Sequence, residues 1–455
     1  MIYIVGIGGI GTSALAQWLK HRGKNVAGND QTESDITRSL EKLDIKVHIG
    51  AVGTLPEPVK LLIYSDAVPA THHLRAMARE KNIAQLSYAA MLGKLSQDYT
   101  VIALAGSHGK STTTSLTGLL FEDLGLDPTV IDGTRVPQWQ HNGRLGNFRP
   151  GQSKYLVVEA DEYQNHFHYL KPAVAVITSL DHDHIDAFPT KESYLAAFQK
   201  FIENITIDGT LIVEHSLRAY IEQYAGSRKI VSYSLSDPAA TITASKIEVK
   251  NEKQYFSVKN IEFELGVPGI HMVANTLAAM AAGQAITDAE KVFQAAQITL
   301  KNFNGTWRRF EKLKEHDTVL YFSDYAHHPT ELEAVIKAAH QLYAAHRLVL
   351  VFQPHQIQRA QAFEKEFKKV FREALSENDL LLLCPIYEVL GREKDLKFSA
   401  ADWIQEAPGL ALYMPTLEDM PQTIKKYTQP GDLVLFTGAG SIDALARKFI
   451  ETLGK

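Results

Sequence analysis

The chain has 455 residues, enough for about three domains of roughly 150 residues each. Hydrophobic residues make up 45% and charged residues 22%, so large cores can form; a net charge of −5 without any Lys/Arg run excludes a basic face for nucleic acid. The single cysteine, Cys384, excludes an internal disulfide and a cysteine-based metal site, and within Leu380-Leu381-Leu382-Leu383-Cys384 it reads as a small core residue. No apolar run approaches membrane-spanning length, and the first strand begins at Ile2 with no room for a signal peptide. These features point to a cytoplasmic protein without membrane insertion.

Short β-branched runs alternate with amphipathic stretches along the whole chain. Ile2–Val5, Val26–Asn29, Leu61–Tyr64 and Val101–Ala105 read as buried parallel strands. A second series runs Tyr155–Val158, Val174–Thr178 and Thr210–Val213. A third runs Val319–Phe322, Arg347–Phe352, Leu380–Leu383 and Leu433–Phe436. Alternation of this kind predicts an α/β protein of doubly wound sheets, with ligands at the carboxyl ends of the strands. Boundaries near Gln97–Asp98 and Asn302–Gly305 divide it into residues 1–97, 98–302 and 303–455.

Gly6-Ile7-Gly8-Gly9-Ile10-Gly11 follows the first strand and opens a helix over Thr12–Lys20. This is a dinucleotide fingerprint on a Rossmann-like domain: the glycines let the backbone approach a pyrophosphate, and Asp30, after the second strand, is positioned to meet a ribose. Taken alone the loop favours NAD and an oxidoreductase, but it does not choose the nucleotide.

Gly106-Ser107-His108-Gly109-Lys110-Ser111 follows strand Val101–Ala105 and precedes a helix over Thr112–Leu120. Backbone N–H groups turned inward by glycine, with the positive end of a helix behind them, form a cradle for phosphate. Lys110 can reach the β- and γ-phosphates of ATP, and Ser111 offers a hydroxyl to Mg²⁺. The spacing departs from the usual loop in that Leu104 stands where its first glycine belongs. Mg²⁺ wants hard oxygen ligands, and Glu159-Ala160-Asp161-Glu162 supplies carboxylates at the end of one strand while Asp181-His182-Asp183-His184-Ile185-Asp186 adds imidazoles after the next. Either cluster alone is more often a solvated loop; their recurrence after successive strands favours a site.

Together these segments resemble the Mur ligase family, and the resemblance spans the chain. It continues through His271-Met272-Val273-Ala274-Asn275, Arg308-Arg309-Phe310-Glu311, Asp324-Tyr325-Ala326-His327-His328-Pro329-Thr330 and Phe352-Gln353-Pro354-His355. It implies a Rossmann-like N-terminal domain, a central P-loop ATPase-like parallel sheet and a Rossmann-like C-terminal domain. The implied activity is ATP-dependent amide-bond formation on UDP-N-acetylmuramate, with L-alanine as the amine and a murein tripeptide as the alternative. Position by position, Gly8, Gly9, Ile10, Gly11, Asp30 and Ser65 match UDP-sugar contacts. Gly106, Ser107, His108, Gly109, Lys110, Ser111, Thr112, Asn275, Arg309 and Asp324 match ATP contacts. Ser111, Glu159 and His184 match magnesium ligands, and Lys110, Glu159, His184 and Arg309 form the implied catalytic set. Tyr325, His327, His355 and Arg359 match positions lining the amino-acid site.

Met272, Gln356, Ser441 and Tyr163-Gln164 depart from the family pattern, Gln356 standing where an arginine is expected. Phe198 stands near a lysine that several relatives carbamylate, so no carbamate is expected. A nicotinamide oxidoreductase leaves the phosphate loop unexplained. A nucleotide-binding sensor without ligase activity is the rival from another class, resting on the departures.

Overall fold

The structure is a computed structural model, describing residues 1–250, 253–388 and 397–454. It contains three sheets. The first orders Lys46–Ile49, Val26–Asp30, Ile2–Val5, Leu61–Tyr64 and Ala84–Ser87, all parallel. The chain steps outward on one side of Ile2–Val5 and then returns to its other side, so the strand order reverses there. Beyond the carboxyl ends of Ile2–Val5 and Leu61–Tyr64 the loops diverge and leave a crevice, with the glycine loop on one wall and Ser65 on the other.

The second sheet has ten strands. Ile242–Lys250, Lys229–Ser234, Thr210–Glu214, Val174–Ile177, Thr100–Ala105, Tyr155–Glu159 and Thr129–Ile131 run parallel in that order. Lys253–Val258 and Ile261–Leu265 extend one edge antiparallel, and Phe148–Arg149 closes the other. The parallel centre matches the sequence expectation, and the antiparallel additions do not. Their strands are short or carry polar residues between the apolar ones, as in Ile261–Leu265, so they lack the continuous apolar run that marks a buried strand. The third sheet orders Glu311–His316, Val319–Asp324, Asp432–Thr437, Arg347–Phe352, Leu380–Leu383 and Leu410–Tyr413, antiparallel only in its first pair. Cys384 is buried at the end of Leu380–Leu383, as its apolar setting suggests. Among the described residues no helix is long and apolar enough to cross a membrane.

The first two sheets share one apolar core: Leu15 and Trp18 of helix Ile10–His21 join Ile131 and Phe148, and the same cluster runs on to Phe167, Phe198 and Phe201. The third sheet keeps separate cores on its two faces. The N-terminal and central units are thus joined by apolar contact, whereas the C-terminal unit meets them through polar groups, the kind of interface that permits relative movement.

A buried polar knot fixes the first joint. Asn147, fully buried, donates to Ile10 O at 2.8 Å and Ser13 Oγ at 2.9 Å, and accepts from Gln17 Nε2 at 3.0 Å. Truncation removes three hydrogen bonds from this joint, so Asn147→Ala is expected to cost about 2–3 kcal/mol. A urea midpoint unchanged from wild type would show that the knot contributes nothing.

Candidate active site

The phosphate loop is built by the register of three parallel strands. Leu104 is buried in strand Thr100–Ala105, and the turn expected of a glycine there is made two residues later by Gly106, at φ +130°. A Cβ on Gly106 would lie 2.2 Å from Thr178 Oγ1, and one on Gly109 (φ +81°) would lie 2.5 Å from Asn275 Oδ1. The loop is therefore pressed against the next strand end and against helix Ile270–Gln284, and Asn275 reaches it from that helix. Helix Lys110–Asp123 aims its N-terminus into the loop.

Lys110 Nζ donates to Gly106 O at 2.7 Å and lies 2.9 Å from Glu162, whose side chain is fully buried. Burial opposes the ammonium, but the carboxylates of Glu162, Asp161 and Glu159 outweigh it and keep Lys110 charged. Glu162 also faces His184 Nε2 at 3.4 Å and Tyr194 Oη at 3.5 Å. Ligand atoms of Asp161, Glu162 and His184 lie within 4.8 Å of one another, two carboxylates and an imidazole that could hold a divalent cation.

The structure thus brings His184 to Glu162 instead of to Glu159, the partner the sequence suggested. Glu159 turns the other way: it accepts from Gly133 N at 2.9 Å and abuts Asp132, whose buried carboxyl is held well above its usual range by burial and by the charge of Glu159. Ser111 and Glu159 nevertheless line the same cavity as His184. Phe198 is core packing between Phe167 and Tyr194.

In the first domain, Gly9, Ile10 and Gly11 line the cavity together with Ser65. Asp30 is turned back onto the glycine loop, where Oδ2 accepts Gly8 N at 2.8 Å, so in this state it braces the loop and Gly8 N–H is already engaged.

In the third domain, Arg309 lies over the Tyr325 ring and 4.0 Å from Glu331. Asp324 accepts from the N–H groups of Phe310 at 2.7 Å and Ala326 at 2.7 Å; burial, against the pull of Arg309, pushes its carboxyl up to about 6. His327 is kept neutral, first by burial and then by Arg359, with Nδ1 3.0 Å from Tyr325 O. His355 stacks on Tyr387 at 5.4 Å. Arg359, expected to offer its charge to a ligand, is already bound: its Nη2 lies 2.6 Å from Asp183 Oδ1 of the central domain.

Two functional partners were not evident in the sequence. Glu331, at the third position of helix Pro329–Leu342, forms a capping box with His328 and receives His108 Nδ1 of the phosphate loop at 3.2 Å. Asp183 was visible only as one member of an acidic, histidine-rich run. Proline at the first helical position and glutamate at the third mark a helix start, but nothing local says that the glutamate also reaches another domain.

Tyr325, His327, His355 and Arg359 converge with Lys110, Ser111, Glu159, His184, Arg309 and Gly9–Gly11 on one cavity of about 630 Å³. His108, Asn275 and Asp324 stand just behind its wall. A phosphate loop, a cluster of two carboxylates and an imidazole, and a second glycine loop lie about one cavity, an arrangement suited to an enzyme that handles two phosphorylated ligands, and sequence comparison supplies the class. Residues 1–100 match the model of the Mur ligase family catalytic domain, 104–283 the Mur ligase middle domain, and 308–440 the Mur ligase glutamate ligase domain. The chain belongs to the Mur ligase family and is an ATP-dependent, ADP-forming ligase.

Within that family it is 34% identical to the UDP-N-acetylmuramate–L-alanine ligase of Salinibacter ruber, over 99% of this chain and 94% of the relative. It is 33% identical to the ligase of the same name from Desulforamulus reducens, over 99% and 97%. The crystal structure of UDP-N-acetylmuramate–alanine ligase from Thermotoga maritima superposes with a TM-score of 0.81 at 25% identity, over 99% of this chain and 98% of that one. A murein peptide ligase from Psychrobacter arcticus shares the fold, with a TM-score of 0.72 at 21% identity over 100% and 98%.

The His108 pair carries a pH signature. Burial disfavours the charge of His108, but the carboxylates of Asp181 and Glu331, which its ring nitrogens face at 3.3 and 3.2 Å, prevail and lift its pKa to about 9. A raised histidine pKa stabilises the folded state fully below about 6.5 and loses that contribution as pH rises through about 9. Because Glu331 belongs to another domain, docking of the C-terminal domain should weaken over that window. Urea titrations from pH 6.5 to 10 should show the loss in wild type and a flatter profile for His108→Gln; identical profiles would contradict it.

Proposed function

We propose that this chain joins L-alanine to the lactyl carboxylate of UDP-N-acetylmuramate through an acyl phosphate, in the cytoplasm and with Mg²⁺. The observation that carries it is the single cavity on which the phosphate loop, Arg309, the amine-site residues and the N-terminal glycine loop open. No nicotinamide reading accounts for the phosphate loop, and the order and placement of the site residues weigh against a sensor.

In this reading the pyrophosphate of the nucleotide sugar rests on Gly9–Gly11 at the N-terminus of helix Ile10–His21, with Ser65 opposite. ATP lies on Gly106–Thr112, with Asn275 and Asp324 toward its nucleoside. The lactyl oxygen attacks the γ-phosphorus and ADP leaves. A carboxylate carbon resists amines because it is electron-rich, and phosphorylation supplies the missing leaving group. The amine then attacks the acyl carbon, expelling phosphate and losing a proton.

Lys110 and Arg309 carry fixed positive charge to the transferring group, and such preorganised charge is the main lever for phosphoryl transfer. Lys110 need only exchange its Glu162 contact for phosphate oxygen. Ser111, Glu159 and His184, with Asp161 and Glu162 beside His184, are the residues that would hold magnesium, which neutralises phosphate charge when bound. Tyr325, His327 and His355 surround the amine, and Arg359 meets its carboxylate. Gln356, also on the cavity, contributes no charge there.

The test is ADP release with UDP-N-acetylmuramate and single amino acids, against the murein tripeptide at equal concentration. L-Alanine should support turnover, with glycine and L-serine following. ADP release with the tripeptide alone would replace this substrate assignment.

Lys110→Ala should abolish ADP release. It also leaves Glu162 buried without its counter-charge, at a cost of about 3–5 kcal/mol. Adding Glu162→Gln should restore much of the melting temperature without restoring turnover. Near-normal turnover by either variant would remove Lys110 from the chemistry.

A further inference from the structure

Asp183 follows strand Val174–Ile177 in the central domain and is 3% exposed; Arg359 lies in helix Ile357–Ala362 of the C-terminal domain and is 5% exposed. Asp183 Oδ1 accepts Arg359 Nε at 3.1 Å and Nη2 at 2.6 Å. The same oxygen accepts the backbone N–H of His184 at 2.6 Å, where the chain takes a left-handed φ of +53°. Arg359 is therefore aligned to the turn that carries His184.

The contact uses one particular edge of the guanidinium. Its five N–H bonds form two forks, Nε with Nη2 and Nη1 with Nη2, each matching a carboxylate. Asp183 occupies the first. The second belongs to the end of the group, where Nη1 lies 3.4 Å from His355 Nδ1, and Asp183, His355 and Arg359 all line the cavity. A guanidinium gripped on one side cannot swing, so it presents the other fork at a fixed angle. Gln356 brings no second charge to this wall.

We infer that Asp183 is a specificity-determining positioning residue: it aims the end fork of Arg359 at the α-carboxylate of a free amino acid and so selects that acceptor against a peptide beginning with the same residue. The inference rests on the reading above that Arg359 meets the carboxylate of the amine. In a peptide that carboxylate is an amide, which has no charge and turns an N–H of its own toward the site. Buried N–H donors of the fork then lose a partner, and sites built to hydrogen-bond one group reject the analogue lacking it far more strongly than apolar pockets reject a missing methylene. Because Asp183 and Arg359 come from different domains, the fork is aimed only when those domains are docked.

The experiment compares L-alanine with L-alaninamide, which differs only in the carboxylate, at saturating ATP and UDP-N-acetylmuramate. Wild type should prefer L-alanine by about 100-fold or more in kcat/KM. Asp183→Asn keeps an oxygen for His184 N–H but removes the charge that grips Arg359. It should lower the preference by about tenfold or more through a raised KM for L-alanine, with clearly smaller losses in alaninamide turnover and in the KM for ATP. Asp183→Glu, which keeps the charge but displaces the grip by one methylene, should also lower the preference and provides the measurement if the asparagine variant does not fold.

A wild-type enzyme that uses both acceptors equally would overturn the role of Arg359 and this inference with it. Wild-type discrimination retained in the Asp183 variants would overturn this inference alone, as would equal losses with both acceptors and with ATP.

Discussion

An ammonium buried at the head of a phosphate loop must have a fixed counter-charge, and in this protein the counter-charge is the fully buried carboxylate of Glu162, 2.9 Å from Lys110. Strands Thr100–Ala105 and Tyr155–Glu159 run side by side and parallel, so the loops that follow them emerge at the same end of the sheet and the two charges meet. Other groups are then placed by reference to that pair. Tyr194 Oη touches both Glu162 and Ser107 Oγ, tying the loop to helix Lys191–Glu203, and His184 takes position against the same carboxylate. The pair costs desolvation that a purely apolar core would avoid. What it provides is a lysine held charged and aimed at the loop.

The division of labour between the domains follows from how each joint is made. The first two domains share an apolar core and a buried hydrogen-bonded knot at Asn147, so they keep the N-terminal glycine loop and the phosphate loop in constant relation. The third docks through charged and polar contacts: His108 with Glu331, Asp183 with Arg359, and Arg135 lying over the Trp307 ring. An interface made of polar groups, unlike an apolar core, is the kind that permits relative movement of domains. Trp307 is bonded back to the central domain through Arg135 O and Thr134 Oγ1, and directly after it Arg308 and Phe310 take left-handed φ values of +56° and +48°. The change of direction between domains is concentrated in those residues.

Much of this was readable in the sequence because it is local. Strands buried on both faces announce themselves as apolar runs, and the loops after Val5 and Ala105 carry their glycines and Lys110 within six residues. Edge strands such as Glu311–His316 were missed because their exposed, charged residues carry no such signal. The partners that define the site's electrostatics are not local. Glu162 is 52 residues from Lys110, Arg359 is 176 from Asp183, and Glu331 is 223 from His108. Arg359 and Lys110 each have a buried carboxylate partner that no neighbouring residue announces. The family resemblance groups His184 with Glu159, whereas the path of the chain after Glu159 turns Glu162 toward the imidazole.

The central claim is that the carboxylate of the nucleotide sugar is phosphorylated before the amide bond forms. It is tested most directly by labelling both lactyl carboxylate oxygens of UDP-N-acetylmuramate with ¹⁸O and analysing the inorganic phosphate released during ligation to L-alanine. The γ-phosphoryl group bonds to one carboxylate oxygen and departs with it when the amine attacks. The expected result is therefore one ¹⁸O in each phosphate and one retained in the amide. Unlabelled phosphate, with amide formed at the normal rate, would contradict the acyl phosphate and the roles given to Lys110 and Arg309 in forming it.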